Sequence, residues 1–278
     1  MRIIKAEKFR NVIADLCIRA NIELRKDVLK RLKSAFRKEK NPKAKKALAA
    51  IVENARVAKK DKLAICQDTG LVCVFIALGA DVKITGDLKS AINKGVERGY
   101  EKGYFRNSVI KNPLLRLQPK SSPVVIHTDI VPGNKIKITV MPKGFGCENK
   151  SLLRMFNPTV DLDEIKAFII GAVKSVGADA CPPYIVGIGI GGTADYACFL
   201  AKRALLRNVT TSQRHNVTSK LEKDLLKEIN KLKIGPMGLG GRATALAVNI
   251  EIYPTHIAGL PVAINFSCHA LRSASAVI

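Results

Sequence analysis

Eight consecutive apolar residues at positions 71–78 constrain this chain more than any other feature, because they directly follow the polar segment 66–70. A continuous apolar run of this length predicts a strand that is buried on both faces. The polar segment contains a cysteine, an amide, a carboxylate, a hydroxyl and a glycine, and such groups are costly to bury without partners. It is therefore either a functional site or a turn whose cysteine packs in the core.

Helical and strand-like patterns are mixed along the chain. Apolar residues recur at helical spacing over about residues 1–60, where Asn41 and Pro42 have the character of an N-cap and a first-turn proline. Later strand-like segments are interspersed with helices, without the strict rhythm of a parallel α/β fold. We therefore expect one α+β domain over residues 1–278, with mixed sheets, surrounding helices and a helical N-terminal region.

Two neighbouring strand-like segments predict a hairpin. Residues 124–130 and 135–141 are rich in apolar side chains and flank a Pro-Gly-Asn turn. In the second segment Ile136, Ile138 and Val140 alternate with polar residues, which is typical of a strand with one solvated face. We expect these two strands to pair with each other.

The composition and the start of the chain narrow its class. A hydrophobic content of 47% fits a globular protein, and no apolar run is long enough to predict a membrane span. The first residues lack the apolar core of a signal peptide. We therefore expect a cytoplasmic protein without membrane contact.

The formal net charge of +24 is compatible with binding to a nucleic acid, to an acidic protein partner or to an anionic substrate. A nucleic-acid-binding protein would combine exposed basic and aromatic recognition segments. Here the aromatic content is only 5%, tryptophan is absent, and the basic residues of the helices lie between the apolar stripes. Nucleic acid binding is thus the less favoured alternative, and steep salt dependence of DNA retention would support it.

Seven cysteines without a secretion signal favour thiols over a disulfide framework. Cys66, Cys181 and Cys268 each lie at a junction between irregular chain and an apolar segment, whereas Cys73 and Cys198 lie inside apolar stripes and are expected in the core. The spacing of Cys66, Cys181 and Cys268 is not that of a zinc knuckle. Thiolates also suit iron–sulfur clusters. Spacing alone leaves this grouping open, since any three cysteines can be grouped.

Three further features have both a functional and a structural interpretation. The glycines of residues 187–193 match a dinucleotide fingerprint, but no acidic residue follows between 197 and 218. Close backbone packing is therefore the favoured explanation, and a carboxylate or cluster cradle is the other. His256 is either an acid–base group or structural, and Arg106 either grips a carboxylate or lies on the surface.

Several motifs, taken together, resemble those of one family. They are similar to the motifs of iron–sulfur class I fumarate hydratases and their L-tartrate dehydratase relatives, and they occur in order over nearly the whole chain. The chain resembles the separate α subunit of the two-chain form. The motifs are Cys66-Gln67-Asp68-Thr69-Gly70, Gly144-Phe145-Gly146-Cys147-Glu148-Asn149-Lys150-Ser151, Cys181-Pro182-Pro183, Gly189-Ile190-Gly191-Gly192-Thr193-Ala194-Asp195, Gly238-Leu239-Gly240-Gly241 and Tyr253-Pro254-Thr255-His256.

The resemblance implies a hydro-lyase that reversibly hydrates fumarate to L-malate, with L-tartrate dehydration to oxaloacetate as the alternative. It implies a [4Fe–4S] cluster with one iron open to substrate, held by Cys66, Cys181 and Cys268. It implies catalytic roles in proton transfer for Asp68 and His256. The implied dicarboxylate-binding residues are Gln67, Arg106 and Gly146.

The resemblance also implies a partner. In family members with one long chain, a second domain supplies further active-site residues, so we expect a β subunit to supply them here, in a heterotetramer of two α and two β subunits. Cys147 stands where relatives usually have a small polar or small apolar residue, and it could compete as a cluster ligand. A scaffold that binds a cluster without catalysis is a further alternative.

Overall fold

The computed structural model describes residues 1–211 and 217–278, which divide into two compact units. Unit 1 comprises Met1–Arg25, Ala55–Phe145 and Arg272–Ile278, and unit 2 comprises Lys26–Asn54 and Gly146–Leu271. Each unit has its own four-stranded sheet and its own apolar core. The single domain expected from the sequence stays a prediction.

Helices and strands alternate irregularly, which confirms the α+β class with mixed sheets and a mainly helical N-terminal region. In chain order the elements are β1 (Arg2–Lys5), α1 (Glu7–Ile22), α2 (Lys26–Lys38), α3 (Pro42–Asp61), β2 (Leu71–Gly79), β3 (Val82–Thr85), α4 (Leu88–Lys102), β4 (Val125–Val131), β5 (Ile136–Lys143), α5 (Phe145–Glu148), β6 (Leu152–Phe156), α6 (Leu162–Val176), β7 (Tyr184–Gly192), α7 (Ala194–Ala204), α8 (Val217–Lys231), β8 (Ala245–Thr255), β9 (Leu260–Ser267) and β10 (Ala274–Val277). A short 3-10 turn at Pro236–Gly238 precedes β8.

The sheet of unit 1 has the strand order β10-β5-β2-β4, with the apolar run in β2 as an inner strand. The predicted hairpin is wrong, because β2 lies between β4 and β5. Cys73 of β2 is opposite Val125 in a parallel pairing and opposite Met141 in an antiparallel one. The backbone N–H and C=O groups of a buried apolar strand need hydrogen-bond partners along both of its edges. Strands β4 and β5 provide these partners for β2. Helices α1 and α4 pack on each other, and α1 also contacts β5.

The sheet of unit 2 has the order β6-β9-β7-β8, with β7 parallel to β8 and antiparallel to β9. Helix α7 lies close against β7, which explains the glycines of that strand. A Cβ atom at Gly187 or Gly189 would lie 2.1 Å from the carbonyl oxygen of Ala201 or Ala197. This packing confirms the structural explanation of the glycine-rich segment.

Local signals in the sequence agree with several observed details. The Asn41 side chain accepts hydrogen bonds from the N–H groups of Lys43 and Ala44, as an N-cap does. Cys73 is buried as predicted, but Cys198 is exposed on α7, so its expected place in the core was wrong. In the part of the chain that the structure describes, no helix has the length and apolar character needed to cross a membrane.

Candidate functional site

The Asp68 carboxylate of unit 1 is held in one orientation by the backbone. Its Oδ1 accepts a hydrogen bond from the Gly70 N–H at 2.9 Å, and its Oδ2 accepts one from the Phe145 N–H at 2.8 Å. Gly70 has a φ of 75°, and a Cβ there would meet the Lys143 backbone at 2.7 Å, so only glycine fits. The loop before β2 therefore presents a fixed, half-buried carboxylate.

Arg272, which sequence reasoning missed, stabilises the same loop through a hydrogen bond to its backbone. Arg272 is 4% exposed, and its guanidinium donates to the Asp68 carbonyl oxygen at 2.7 Å and to Asn21 Oδ1 at 3.2 Å. The only signal in the sequence was an arginine placed in the apolar tail a few residues after Cys268. Such a residue is costly to bury unless it has partners, and Asp68 and Asn21 provide them.

The Arg106 segment is attached to this loop through Thr69. The Thr69 hydroxyl donates to the Arg106 carbonyl oxygen at 2.6 Å, and the Tyr100 hydroxyl donates to the Thr69 carbonyl oxygen at 2.6 Å. Burial raises the pKa of the Tyr100 phenol well above its ordinary value, so it remains a donor. The structure thus brings Asp68 and Arg106 into one hydrogen-bonded assembly, where the side chains of Arg106 and Gln67 are exposed and Cys66 is half-buried.

Cys181 and Cys268 of unit 2 come together at one end of its sheet. The strand β9 ends at Ser267, which pairs with Ile185 near the start of β7. The ring Nδ1 of His269 lies 3.0 Å from the Cys181 carbonyl oxygen, and its backbone N–H lies 3.4 Å from the same atom. A neutral ring that makes this bond carries its proton on Nδ1. His269 was missed, although it follows Cys268 directly.

His256 lies at the opposite end of that sheet. Strand β8 ends at Thr255, which pairs with Gly192 at the far end of β7. Since β7 has nine residues, roughly 26 Å separates its two ends. The exposed His256 ring accepts the Ala258 N–H at Nδ1, 3.2 Å away, so the neutral ring presents Nε2–H to solvent. Within unit 2 the structure therefore does not bring His256 to the two cysteines.

The motif that contains Gly146 is fixed by a half-buried ion pair that sequence reasoning also missed. Glu148 contacts Lys202 Nζ at 2.5 Å with one oxygen and accepts from Asn265 Nδ2 at 3.0 Å with the other. Gly146 is exposed, and a Cβ there would meet nothing within 4 Å. Cys147 is buried, and its thiol lies 3.3 Å from the Ala180 carbonyl oxygen.

The chemistry of the three junction thiols fits an iron–sulfur cluster. Cys181 is exposed, and Cys66 and Cys268 are half-buried, so none is sealed in an apolar core as Cys17 is. Soft thiolates are the ligands that such clusters require. Over residues 1–211 and 217–278, no three His, Cys, Asp or Glu side chains form a group able to hold a single metal ion.

Comparison with known proteins assigns the family. The fumarate hydratase (Fumerase) family matches residues 10–277. A Methanocaldococcus jannaschii protein, provisionally named as L(+)-tartrate dehydratase subunit alpha, is 41% identical over 275 residues, which cover 96% of each chain. The L(+)-tartrate dehydratase subunit alpha of Escherichia coli K12 is 26% identical over 275 residues, 98% of this chain and 91% of that one. The order of the motifs and the extent of these matches lead to one conclusion: the chain belongs to the fumarate hydratase family.

Proposed function

We propose that this chain is the α subunit of a hydro-lyase that interconverts fumarate and L-malate. The observation that carries the proposal is the convergence of Cys181 and Cys268, 87 positions apart, around His269 at one end of the unit 2 sheet. The fixed carboxylate of Asp68 and its link to Arg106 supply a second group of polar residues of the kind that this chemistry needs.

Arg106, Gln67 and Asp68 of unit 1 and Gly146 of unit 2 have distinct proposed roles. The exposed guanidinium of Arg106 binds a substrate carboxylate through two parallel hydrogen bonds, and Gln67 offers an amide beside it. Asp68 moves a proton to or from the substrate, because its orientation is fixed by two N–H donors while further lone pairs stay available. Gly146 leaves space for substrate, since no atom occupies the position of a side chain there.

A [4Fe–4S] cluster is the cofactor that we propose, with Cys66, Cys181 and Cys268 as its ligands. When bound, it supplies a Lewis acid for the hydroxyl that leaves the substrate. His269 keeps the Cys181 segment beside Cys268 through the two contacts to the Cys181 carbonyl oxygen. Cys147 is a less suitable ligand, because its thiol is buried against the Ala180 carbonyl.

The position of His256 bears on the proposed assembly. His256 lies roughly 26 Å from the cysteine end of its sheet. We therefore propose that the His256 acting on a substrate beside Cys181 and Cys268 comes from a second copy of the chain. The "subunit alpha" in the names of the relatives supports a partner β subunit. We propose that this partner carries the remaining active-site residues in a heterotetramer of two α and two β subunits.

L-Tartrate is the second candidate substrate. The observation that favours it is the name of the relatives, since both proteins compared above are named as L(+)-tartrate dehydratase subunits. Malate and tartrate differ by one hydroxyl group, and both present two carboxylates and a leaving hydroxyl. The same roles for Arg106 and Asp68 serve both reactions.

Activity of the anaerobically purified chain, mixed with its candidate β subunit, tests the proposal. Fumarate formed from L-malate is followed by ultraviolet absorbance, with oxaloacetate formation from L-tartrate in parallel. We expect Asp68→Asn to lower kcat at least about 100-fold, because a positioned proton-transfer group contributes this much. The matched control is Asp163→Asn at a side chain that is 86% exposed, and it should leave kcat unchanged.

Two outcomes of that experiment would count against the proposal. If iron-loaded chain with its partner turns over neither substrate, the enzyme assignment fails and the non-catalytic scaffold is favoured. If only L-tartrate is consumed, the ranking of the two substrates is reversed. Retention on DNA that declines steeply with salt would instead support the nucleic-acid alternative.

A further inference from the structure

A basic concavity on unit 2 has no role in the proposed reaction. It has a volume of about 580 Å³, within the range of small-molecule sites. Its cationic side chains come from the α2–α3 connection, from the end of α8 and from the segment that leads into β8. They are Lys40, Lys227, Lys231, Lys233 and Arg242.

Among the described lining residues, Glu39 is the one acidic residue, and backbone N–H groups already bind it. One of its oxygens accepts N–H bonds from Lys40 and Asn41 at 2.9 and 3.0 Å, and the other accepts from Arg242 at 2.7 Å. A Cβ at Gly241 would lie 2.8 Å from the same carboxylate, so the chain closes tightly over it. Glu39 is 4% exposed and therefore organises the concavity, and five cations less its one negative charge leave the described lining a formal charge of +4.

Within the part of the chain that the structure describes, ion pairs compensate little of this cationic charge. Of the five cations, Lys231 has an ion pair with Glu228 at 2.7 Å, in which both side chains are largely exposed. Such a surface pair is weak and leaves the ammonium group accessible. Asn41, the N-cap of α3, also lines the concavity, so the positive end of that helix dipole adds to the same field.

We propose that this concavity binds a compact polyphosphate group, carried by free polyphosphate or by a nucleoside triphosphate. Five cations facing one engaged acid match an anion of three or four charges better than a dicarboxylate of two. Among the lining residues that the structure describes, no aromatic ring is present, so a base would gain no stacking. The phosphates therefore dominate recognition, and the proposal is independent of the hydro-lyase function.

Calorimetric titration of the full-length chain with sodium tripolyphosphate tests this site. We expect one site with a Kd below about 1 mM at low salt. In the double variant Lys227→Gln/Lys233→Gln the affinity should fall about 25-fold, since each contact charge contributes about fivefold even in water. The control Lys174→Gln/Lys220→Gln removes the same charge from exposed positions of unit 2 outside the lining, and its affinity should stay within twofold of the wild type.

Further titrations test whether the phosphates alone determine recognition. ATP should bind as tightly as tripolyphosphate, and L-malate should bind at least tenfold more weakly. The proposal is overturned if tripolyphosphate shows no saturable binding, or if both double variants lose affinity equally. Binding of a 12-nucleotide single-stranded DNA more than tenfold tighter than tripolyphosphate would also overturn it, in favour of a nucleic-acid surface.

Discussion

The buried guanidinium of Arg272 should decide the stability of the loop that presents Asp68. Replacement by methionine keeps much of the side-chain volume and removes both hydrogen bonds, to the Asp68 carbonyl oxygen and to Asn21 Oδ1. A buried acceptor that loses its donor costs about 1–3 kcal/mol. Asn21 is 0% exposed, so its oxygen incurs the larger part of this cost.

One effect acts in the opposite direction. Within residues 1–211 and 217–278, Arg272 Nε is buried without a hydrogen-bond partner, so removing the guanidinium also removes an unsatisfied donor. Two acceptors at about 2 kcal/mol each, less about 1 kcal/mol for this gain, lead us to expect that Arg272→Met lowers the free energy of unfolding by about 3 kcal/mol. Arg272→Lys should cost less, because one ammonium group can still serve one of the two acceptors.

Urea unfolding followed by circular dichroism measures this effect. The matched control is Arg98→Met, also in unit 1, where an exposed guanidinium donates to Asn11 at 2.8 Å. The control should change the free energy of unfolding by less than about 0.5 kcal/mol. The reasoning is refuted if Arg272→Met unfolds at the urea concentration of the control, with the same dependence on denaturant.

Two further predictions concern packing and pH. Gly189→Ala should destabilise the chain by several kcal/mol or prevent folding, because its Cβ would lie 2.1 Å from the Ala197 carbonyl oxygen. The control Gly171→Ala, whose Cβ would meet nothing within 4 Å, should be neutral or stabilising in thermal melts. Tyr100→Phe should cost about 1–2 kcal/mol at pH 8 through the bond lost to Thr69, and this deficit should narrow by pH 11. Burial raises the Tyr100 pKa above its ordinary 10.0, so as unfolded Tyr100 ionises above that pH the wild type loses a contribution to stability that the variant never had. A deficit that stays constant from pH 8 to pH 11 would contradict this.

Features with a local cause could be predicted from the sequence. The Asn41 cap and the buried strand β2 follow from residues within a few positions of each other. The hairpin prediction failed because strand partners can be distant in sequence, and β4 and β5 each pair with β2 instead of with each other. Cys198 was misplaced because helix α7 buries a narrow face of Ala197, Leu200, Ala201 and Ala204, which leaves the cysteine exposed.

In the candidate site, too, features with a local cause could be predicted and those with a long-range cause could not. Asp68 stood out because a carboxylate next to an apolar strand needs partners, and the Phe145 N–H is one of them. Arg272 was missed because its partner Asn21 lies about 250 positions away. The separation of His256 from Cys181 depends on strand directions in the sheet, which spacing along the chain does not reveal.

The central claim is that three cysteines distant in sequence hold one cluster. The most direct test is the iron content of the chain after anaerobic reconstitution. The wild type should bind about four irons per chain, and Cys66→Ala, Cys181→Ala and Cys268→Ala should each bind far less. The control Cys198→Ala removes an exposed thiol outside the proposed ligand set and should retain the wild-type content. Full iron content in the Cys181→Ala chain would contradict the account.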